Sequence, residues 1–139
     1  MANDMYVSRL NLKIAEIKLG QVITIDGIPM NETERITFNL GKSEEEHALH
    51  FDIRFTYLEM KTVVMNSLVD GQFGEEVKTK DFPFEYGKLT KIAVHYYQDR
   101  FQIKVPDGKV YDFPNRCPDW KLSFLEVIGG FKIISFSIQ

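Results

Sequence analysis

The feature that most constrains the fold of this chain is a recurring run of β-branched and aromatic residues. Such runs return about every ten residues, separated by Gly, Asn, Asp or Pro, and this spacing is typical of an all-β sandwich or barrel. Helical periodicity is hard to find anywhere in the sequence. We therefore predict strands over residues 10–17, 21–25, 35–39, 48–55, 62–66, 76–78, 88–97, 100–105, 109–113, 122–128 and 131–138.

Three Asp-Gly pairs stand between or beside these runs and predict tight turns. Both residue types tolerate the positive φ values that such turns require. The pairs are Asp26-Gly27, Asp70-Gly71 and Asp107-Gly108. The last pair sits between two apolar runs, so it is the clearest hairpin signal of the three.

The length and composition indicate one globular domain spanning residues 1–139. A chain of 139 residues falls within the usual single-domain range, and no linker, repeat or low-complexity segment divides it. Hydrophobic residues make up 44% and charged residues 27% of the sequence, which excludes a disordered or collagen-like chain. The 13% aromatic content favours strands, where flat side chains cover a pleated surface.

Charge, cysteine content and hydropathy exclude several other classes. The net charge of −3 and the scattered Lys and Arg residues give no basic field for nucleic acid. A single cysteine, Cys117, cannot form an internal disulfide. The start MANDMYVSRL lacks the pattern of a signal peptide, and no stretch reaches the roughly 18 apolar residues of a membrane span. We expect a cytoplasmic protein that does not insert into membranes.

The segment ALHFDIRF carries the most informative polar pattern. In a strand, alternation places His50, Asp52 and Arg54 on one face and the apolar residues between them on the other. Side chains two residues apart stand roughly 7 Å from each other, so the three can share one hydroxyl-rich ligand. The alternative is a solvated outer face with an ion pair between Asp52 and Arg54.

Two later segments repeat this polar pattern more weakly. In TVVMNS, Val64 and Asn66 share a face. In GQFGEEVKTK, Glu76 and Lys78 lie on one side of a strand, with Phe73 in a Gly-flanked turn just before them. Taken singly, each residue has a purely structural explanation, as with an Asn that forms a turn at a strand end.

Taken in order, the segments HFDIRF, VVMN, QFGEE, FPFEYG and FPNR resemble the galectin family of β-galactoside-binding lectins. The resemblance begins at LGQVITIDG and ITFNLG and ends at FKIISFSI, so it covers nearly the whole chain. It implies a jelly-roll sandwich of two antiparallel sheets with a sugar groove on the concave face. It also implies a non-catalytic protein, made in the cytosol and exported without a signal peptide, that binds lactose-like β-galactosides on glycoconjugates.

The resemblance also assigns carbohydrate-binding roles, residue by residue. Five positions match the family's pattern: His50, Arg54, Val64, Asn66 and Glu76. Three candidate positions depart from it, because Asp52 stands where Asn is usual, Phe73 where Trp is usual and Lys78 where Arg is common.

The departures have physical consequences for binding. Phe73 keeps an aromatic surface for the sugar's C–H face but loses ring area and the indole N–H, a loss of about 1 kcal/mol, or about fivefold to tenfold in affinity. An ionised Asp52 only accepts hydrogen bonds, so either a sugar hydroxyl donates a hydrogen bond to it or its charge is directed to Arg54. Three outcomes stay open: weakened galactoside binding, a shifted sugar preference, and loss of sugar binding in a structural or interaction protein.

Other chemistries fit the sequence less well. Asp52 and Glu76 are candidates for the paired carboxylates of a glycosidase, but Arg54 and Lys78 are expected to keep both ionised. The three histidines and Asp52 never form a recognised metal-ligand spacing. We expect no catalytic activity, no metal and no cofactor.

The terminal strands raise the question of self-association. NLKIAEI, near the start, and FKIISFSIQ, at the end, are rich in Ile and Phe and can form sheet edges that a second copy covers. We expect a homodimer that crosslinks glycans through two sites. The alternative is that both segments line the core of a monomer.

Overall fold

The computed structural model describes residues 8–139 and folds them into twelve strands. The strands are β1 (Ser8–Lys13), β2 (Val22–Pro29), β3 (Arg35–Ser43), β4 (Glu46–Arg54), β5 (Thr62–Val69), β6 (Gln72–Phe73), β7 (Val77–Lys78), β8 (Thr90–Tyr96), β9 (Arg100–Lys104), β10 (Val110–Pro114), β11 (Phe124–Gly129) and β12 (Phe131–Ile138). Short 3-10 turns lie at Tyr57–Glu59 and Pro106–Gly108. No helix within residues 8–139 is long and apolar enough to cross a membrane.

The strands form two antiparallel sheets. The larger sheet has the order β1-β11-β3-β4-β5-β6, and β7 also pairs with β5. The smaller sheet has the order β10-β9-β8-β2-β12. The first and last described strands therefore occupy the outer edges of different sheets. This architecture confirms the predicted jelly-roll sandwich.

The core lies between the two sheets. Strands of the smaller sheet alternate as expected, and in β2 each buried residue is followed or preceded by a half-buried one. Aromatic rings join the layers, since Phe38 of β3 meets Phe131 of β12 edge to face, with ring centroids 5.6 Å apart. In β4, by contrast, nearly every residue is buried on both faces. The polar face of β4 is therefore not the solvated surface that the alternative interpretation required.

Each predicted strand overlaps a strand of the structure, but the ends differ. The first was predicted over residues 10–17, whereas β1 ends at Lys13. Beyond that point the chain stays near its neighbour, because the backbone N–H groups of Ile14 and Ile17 bond to the carbonyls of Ser123 and Leu122. The two-residue strand β6 was not predicted. The domain was predicted over residues 1–139. Its first seven residues, MANDMYV, lie outside the described residues.

Two of the three Asp-Gly turns are confirmed. Asp70 and Gly71 have φ of 53° and 74° between β5 and β6, and Asp107 and Gly108 have φ of 65° and 71° between β9 and β10.

The third predicted turn, Asp26-Gly27, is wrong, because both residues lie inside β2. Gly27 has a packing reason instead. A Cβ there would lie 2.5 Å from the ring of Phe131, so the glycine leaves room for the ring that joins the two sheets.

Candidate functional site

Strand β4 carries the polar face predicted from the sequence. Its apolar side chains, including Phe51 and Ile53, enter the core between the sheets. Consequently His50, Asp52 and Arg54 lie on the opposite side. Across the ladder to β3, they pair with Asn39, Thr37 and Arg35, respectively. We use the term polar face for the outward side of β4 to β7 that carries His50, Arg54, Phe73, Glu76 and Lys78.

Asp52 is the anchor beneath this face. Its side chain has 0% exposure. It accepts hydrogen bonds from Nε of Arg35 at 3.0 Å, Oγ1 of Thr37 at 2.8 Å and Nε of Arg54 at 2.8 Å. In addition, Nη2 of Arg35 lies 3.0 Å from Oδ2 of Asp52. Two guanidinium groups compensate the buried charge. The carboxylate accepts hydrogen bonds from both of them, and this orients Arg54.

Arg54 leads from this anchor to the exposed part of the polar face. Its Nη2 lies 3.8 Å from Oε2 of Glu76, and Nζ of Lys78 lies 3.9 Å from Oε1 of the same carboxylate. Tyr57 is not among the predicted site residues, yet its ring contacts both arginines. The guanidinium carbons of Arg35 and Arg54 lie 4.0 and 5.2 Å from its ring centroid. Such long, partly exposed ion pairs contribute little stability, so these groups can exchange them for a ligand.

His50 lies on the same face of β4 as Arg54, with Asp52 between them, and near the aromatic edge of the face. Its Nδ1 lies 2.7 Å from Oδ1 of Asn39, and its ring centroid lies 5.0 Å from that of Phe73. Burial lowers the pKa of His50 to about 4, against the opposing charge of Asp52. The imidazole is therefore neutral near pH 7. Phe73 itself is 59% exposed and offers its ring to solvent.

Asn66 holds the loop that presents Phe73. Its Nδ2 donates to the carbonyl of Gly74 at 3.0 Å, and its Oδ1 accepts from the backbone N–H of Ser67 and from Nη1 of Arg116. Nη2 of Arg116 donates to the carbonyl of Glu75 at 2.8 Å. The FPNR segment was part of the sequence pattern, but the role of Arg116 in fixing this loop depends on a contact across 50 residues.

Val64 is the remaining predicted residue, and it is buried below the polar face. It pairs with Asp52 across the ladder to β4 and with Lys78 across the ladder to β7. The structure thus brings all the predicted residues to one region. Asp52 and Val64 lie beneath that region, and Asn66 is bonded into its loop.

A side pocket of about 290 Å³ adjoins the polar face, and it reaches from His50 over β3 to Glu126 on β11. His47 also lines it, because a bulge between His47 and His50 turns both rings to the same side. The rings are nearly parallel, with centroids 6.4 Å apart. Simple alternation places residues three apart on opposite faces, so the sequence did not reveal His47.

Comparison with known proteins decides the family. The sequence profile of the family described as galactoside-binding lectin matches residues 9–138. The chain belongs to the galectin family. It is 35% identical to galectin-2 of Homo sapiens over 130 residues, covering 94% of this chain and 96% of that protein. It is 33% identical to galectin-1 of Mus musculus over 134 residues, covering 96% of each.

Solved galectin structures share the whole fold. The homodimeric agglutinin CG-16 from chicken liver superposes with a TM-score of 0.89 at 30% identity, covering 95% of this chain and 100% of that one. Chicken galectin 2 superposes with a TM-score of 0.88 at 34% identity, with the same coverage.

Galectins are non-catalytic carbohydrate-binding proteins, and this galectin is not an enzyme. The alternative interpretation of Asp52 and Glu76 as a glycosidase pair is therefore set aside. The part of the chain from 8 to 139 contains no group of three or more His, Cys, Asp or Glu side chains that could hold a metal ion.

Proposed function

We propose that this galectin binds β-galactoside-like glycans on its polar face, with altered affinity or specificity. One observation carries the proposal: the guanidinium of Arg54 is fixed by buried Asp52 and directed toward Glu76, on the same face as neutral His50 and the exposed ring of Phe73. A sugar needs hydrogen-bonding groups for its hydroxyls and an aromatic surface for its C–H face. This arrangement supplies both within one region.

Each proposed contact has a defined polarity. Arg54 and Lys78 only donate hydrogen bonds, and Glu76 only accepts them when ionised. Asn66 retains one amide hydrogen, because its other amide hydrogen and its oxygen serve the loop. Asp52 and Val64 contribute from below, by orienting Arg54 and by filling the space under the face.

The alteration in binding comes from two positions. Phe73 offers less ring area than Trp and no N–H, while Asp52 directs its hydrogen bonds to Arg35, Thr37 and Arg54. These same features favour the second candidate, a galectin-like structural or interaction protein with weakened or lost sugar binding. The two candidates differ in whether wild-type protein binds any β-galactoside.

Titration calorimetry with lactose tests the proposal. We expect wild-type protein to bind lactose. We expect Arg54→Ala to weaken binding by about 2 to 4 kcal/mol, since charge-assisted hydrogen bonds disappear and Glu76 keeps only Lys78 as a partner. Arg35 still pairs with Asp52 in that variant, so circular dichroism is expected to show a folded sandwich.

Arg100→Ala is the matched control for this titration. Arg100 is a half-buried arginine on β9, in the other sheet, where it pairs with Asp99 and Asp112. Its loss is expected to leave lactose binding unchanged. If Arg54→Ala binds lactose as wild type does, the ligand sits elsewhere. If no sugar on a glycan array is bound, the second candidate is correct.

We also propose that the protein is a homodimer that crosslinks glycans. Strands β1 and β12 occupy sheet edges, and β12 leaves Ile134 53% exposed beside partly exposed Phe136. An uncovered edge of this composition favours pairing with a second copy. The homodimeric state of the similar agglutinin CG-16 supports the same assembly.

Location is a further part of the proposal. The family resemblance implies a cytoplasmic protein that also reaches the extracellular space without a signal peptide. Immunodetection of the protein in washed cells and in their medium tests this location. Crosslinking of cell-surface glycans requires that some of the protein be found in the medium.

A further inference from the structure

A chain of two hydrogen bonds connects Glu126 on β11 to His50 on the polar face. Nδ2 of Asn39 donates to Oε1 of Glu126 at 2.9 Å, and Oδ1 of Asn39 lies 2.7 Å from Nδ1 of His50. All three side chains are buried. These two hydrogen bonds cross three neighbouring strands, β11, β3 and β4, and connect residues that are 76 positions apart in the sequence.

The chemistry of the first group fixes the roles of the others. An ionised carboxylate only accepts hydrogen bonds, so Asn39 must present its NH₂ group to Glu126. Its carbonyl oxygen then faces His50, and that oxygen only accepts. Nδ1 of the neutral imidazole must therefore carry the proton, and Nε2 is left with a lone pair.

We propose that Glu126 is a positioning residue that sets the tautomer of His50, so that Nε2 presents an acceptor to the ligand. The proposal rests on the proposed function only where it concerns the ligand. A ligand hydroxyl can then donate to His50 while it accepts from Arg54, the fixed donor of the same face. With the opposite tautomer, His50 and Arg54 would both be donors. The ligand hydroxyl could then accept hydrogen bonds but would have no acceptor on His50 for its own proton.

The other polar groups near these two hydrogen bonds, on Arg9 and His47, do not take over the role of Glu126. Nε of Arg9 lies 3.8 Å from the second oxygen of Glu126, so this arginine does not contact Asn39 or His50. His47 stacks on His50 but has no hydrogen bond to it.

Nitrogen-detected NMR of the ligand-free protein tests the proposal, because two-bond correlations in the imidazole ring distinguish the Nδ1–H from the Nε2–H tautomer. We expect Nδ1–H for His50 in wild type. Glu126→Leu removes the acceptor and frees the amide of Asn39 to rotate, so we expect a substantial Nε2–H population. Glu126→Gln can either accept from or donate to Asn39, so it no longer dictates the orientation of that amide, and we expect a mixture of the two His50 tautomers.

Arg9→Ala is the matched control, since it removes the neighbouring charge but leaves both hydrogen bonds in place. It is expected to preserve the wild-type tautomer. Lactose affinity is expected to fall about fivefold to tenfold in Glu126→Leu, as for the loss of about one hydrogen bond, and to fall by a smaller factor in Glu126→Gln.

An Nε2–H tautomer in wild type overturns the proposal without any variant being needed. An unchanged Nδ1–H tautomer in folded Glu126→Leu also overturns it. The tautomer is measured without sugar, so a wild-type protein that fails to bind lactose contradicts the proposed function and leaves the tautomer result standing. If Glu126→Leu does not fold, a mixed tautomer in Glu126→Gln supports the positioning role, and a pure Nδ1–H tautomer overturns it.

Discussion

At the scale of single residues, His47 is a buried polar group with weak compensation, from the backbone of Glu44 and the charge of Glu126. Its side chain is 4% exposed, and within residues 8–139 neither ring nitrogen has a hydrogen-bond partner of good geometry. Burial lowers its pKa, although the charge of Glu126 acts in the opposite direction. A buried donor or acceptor left without a partner costs about 1 to 3 kcal/mol. His47 therefore lowers the stability of a fold that would accept an apolar side chain there.

We predict that His47→Leu stabilises the protein by about 1 to 2 kcal/mol, because the apolar side chain removes that cost. Thermal unfolding followed by circular dichroism measures the change. His95→Leu on β8 is the control, since His95 is half-buried and its substitution is expected to have a small effect. A melting temperature of His47→Leu at or below that of wild type would contradict the prediction.

The pKa of His50 predicts how stability depends on pH. In the unfolded chain this imidazole titrates near 6.5, whereas in the folded protein it titrates at about 4. Between these values the unfolded state binds a proton that the folded state does not, so stability falls as the pH drops from 6.5 toward 4. Each pH unit in this window corresponds to about 1.4 kcal/mol for the one group.

Urea denaturation at pH 7 and pH 5 is the measurement. We expect His50 to account for about 2 kcal/mol of the stability lost between the two values. His50→Gln does not titrate in this range, so its loss is expected to be smaller by that amount. Equal losses in the two proteins would show that His50 is not held neutral by the fold.

At the scale of elements, the short strand β6 and its loop position the aromatic part of the site. Phe73 pairs with Leu68 of β5, and the next residues are held by Asn66 and Arg116. The loop is thus fixed by interactions that do not involve the ring itself. A larger ring at this position can use the same frame.

We predict that Phe73→Trp increases lactose affinity by about fivefold to tenfold, because it restores ring area and an indole donor. Titration calorimetry against lactose and a panel of monosaccharides gives the comparison. Leu19→Trp adds an indole at an exposed position in the segment between β1 and β2 and serves as the control. No change in Phe73→Trp would indicate a vestigial site, and weaker binding of another sugar would indicate a shifted specificity.

The elements also show what the sequence can and cannot predict. Strands were predictable because turn residues and alternation are local, and the polar face followed from the same alternation in ALHFDIRF. Strand β6 escaped prediction because two residues carry no periodicity, and only pairing with β5 defines it. The bulge beside His47 breaks the alternation. The hydrogen bonds of Glu126 and Arg116 join segments 87 and 50 residues apart, and no local pattern records them.

At the scale of the whole molecule, the edges β1 and β12 predict assembly. We expect the protein to sediment as a dimer at micromolar concentration, because pairing covers the exposed apolar edge. Ile134→Lys places a charge on β12 and is expected to give monomers. Leu89→Lys alters an apolar residue outside the edge strands that is at least as exposed as Ile134, and this variant is expected to remain dimeric. A monomeric wild type would remove the crosslinking mechanism and leave the binding site intact.

The anchoring of Arg54 by Asp52 also affects the entropy of ligand binding. A free arginine side chain explores many rotamers, and immobilising such a side chain on association costs about 0.5 to 1.5 kcal/mol. Here the side chain is already immobilised when the chain folds, through the Nε hydrogen bond to a carboxylate that has no exposure of its own. A ligand therefore meets a rigid donor, and the entropic penalty of recognition is smaller. Weakening the hydrogen bond between Asp52 and Arg54 is therefore expected to slow or weaken ligand binding, although Asp52 itself is buried beneath the site.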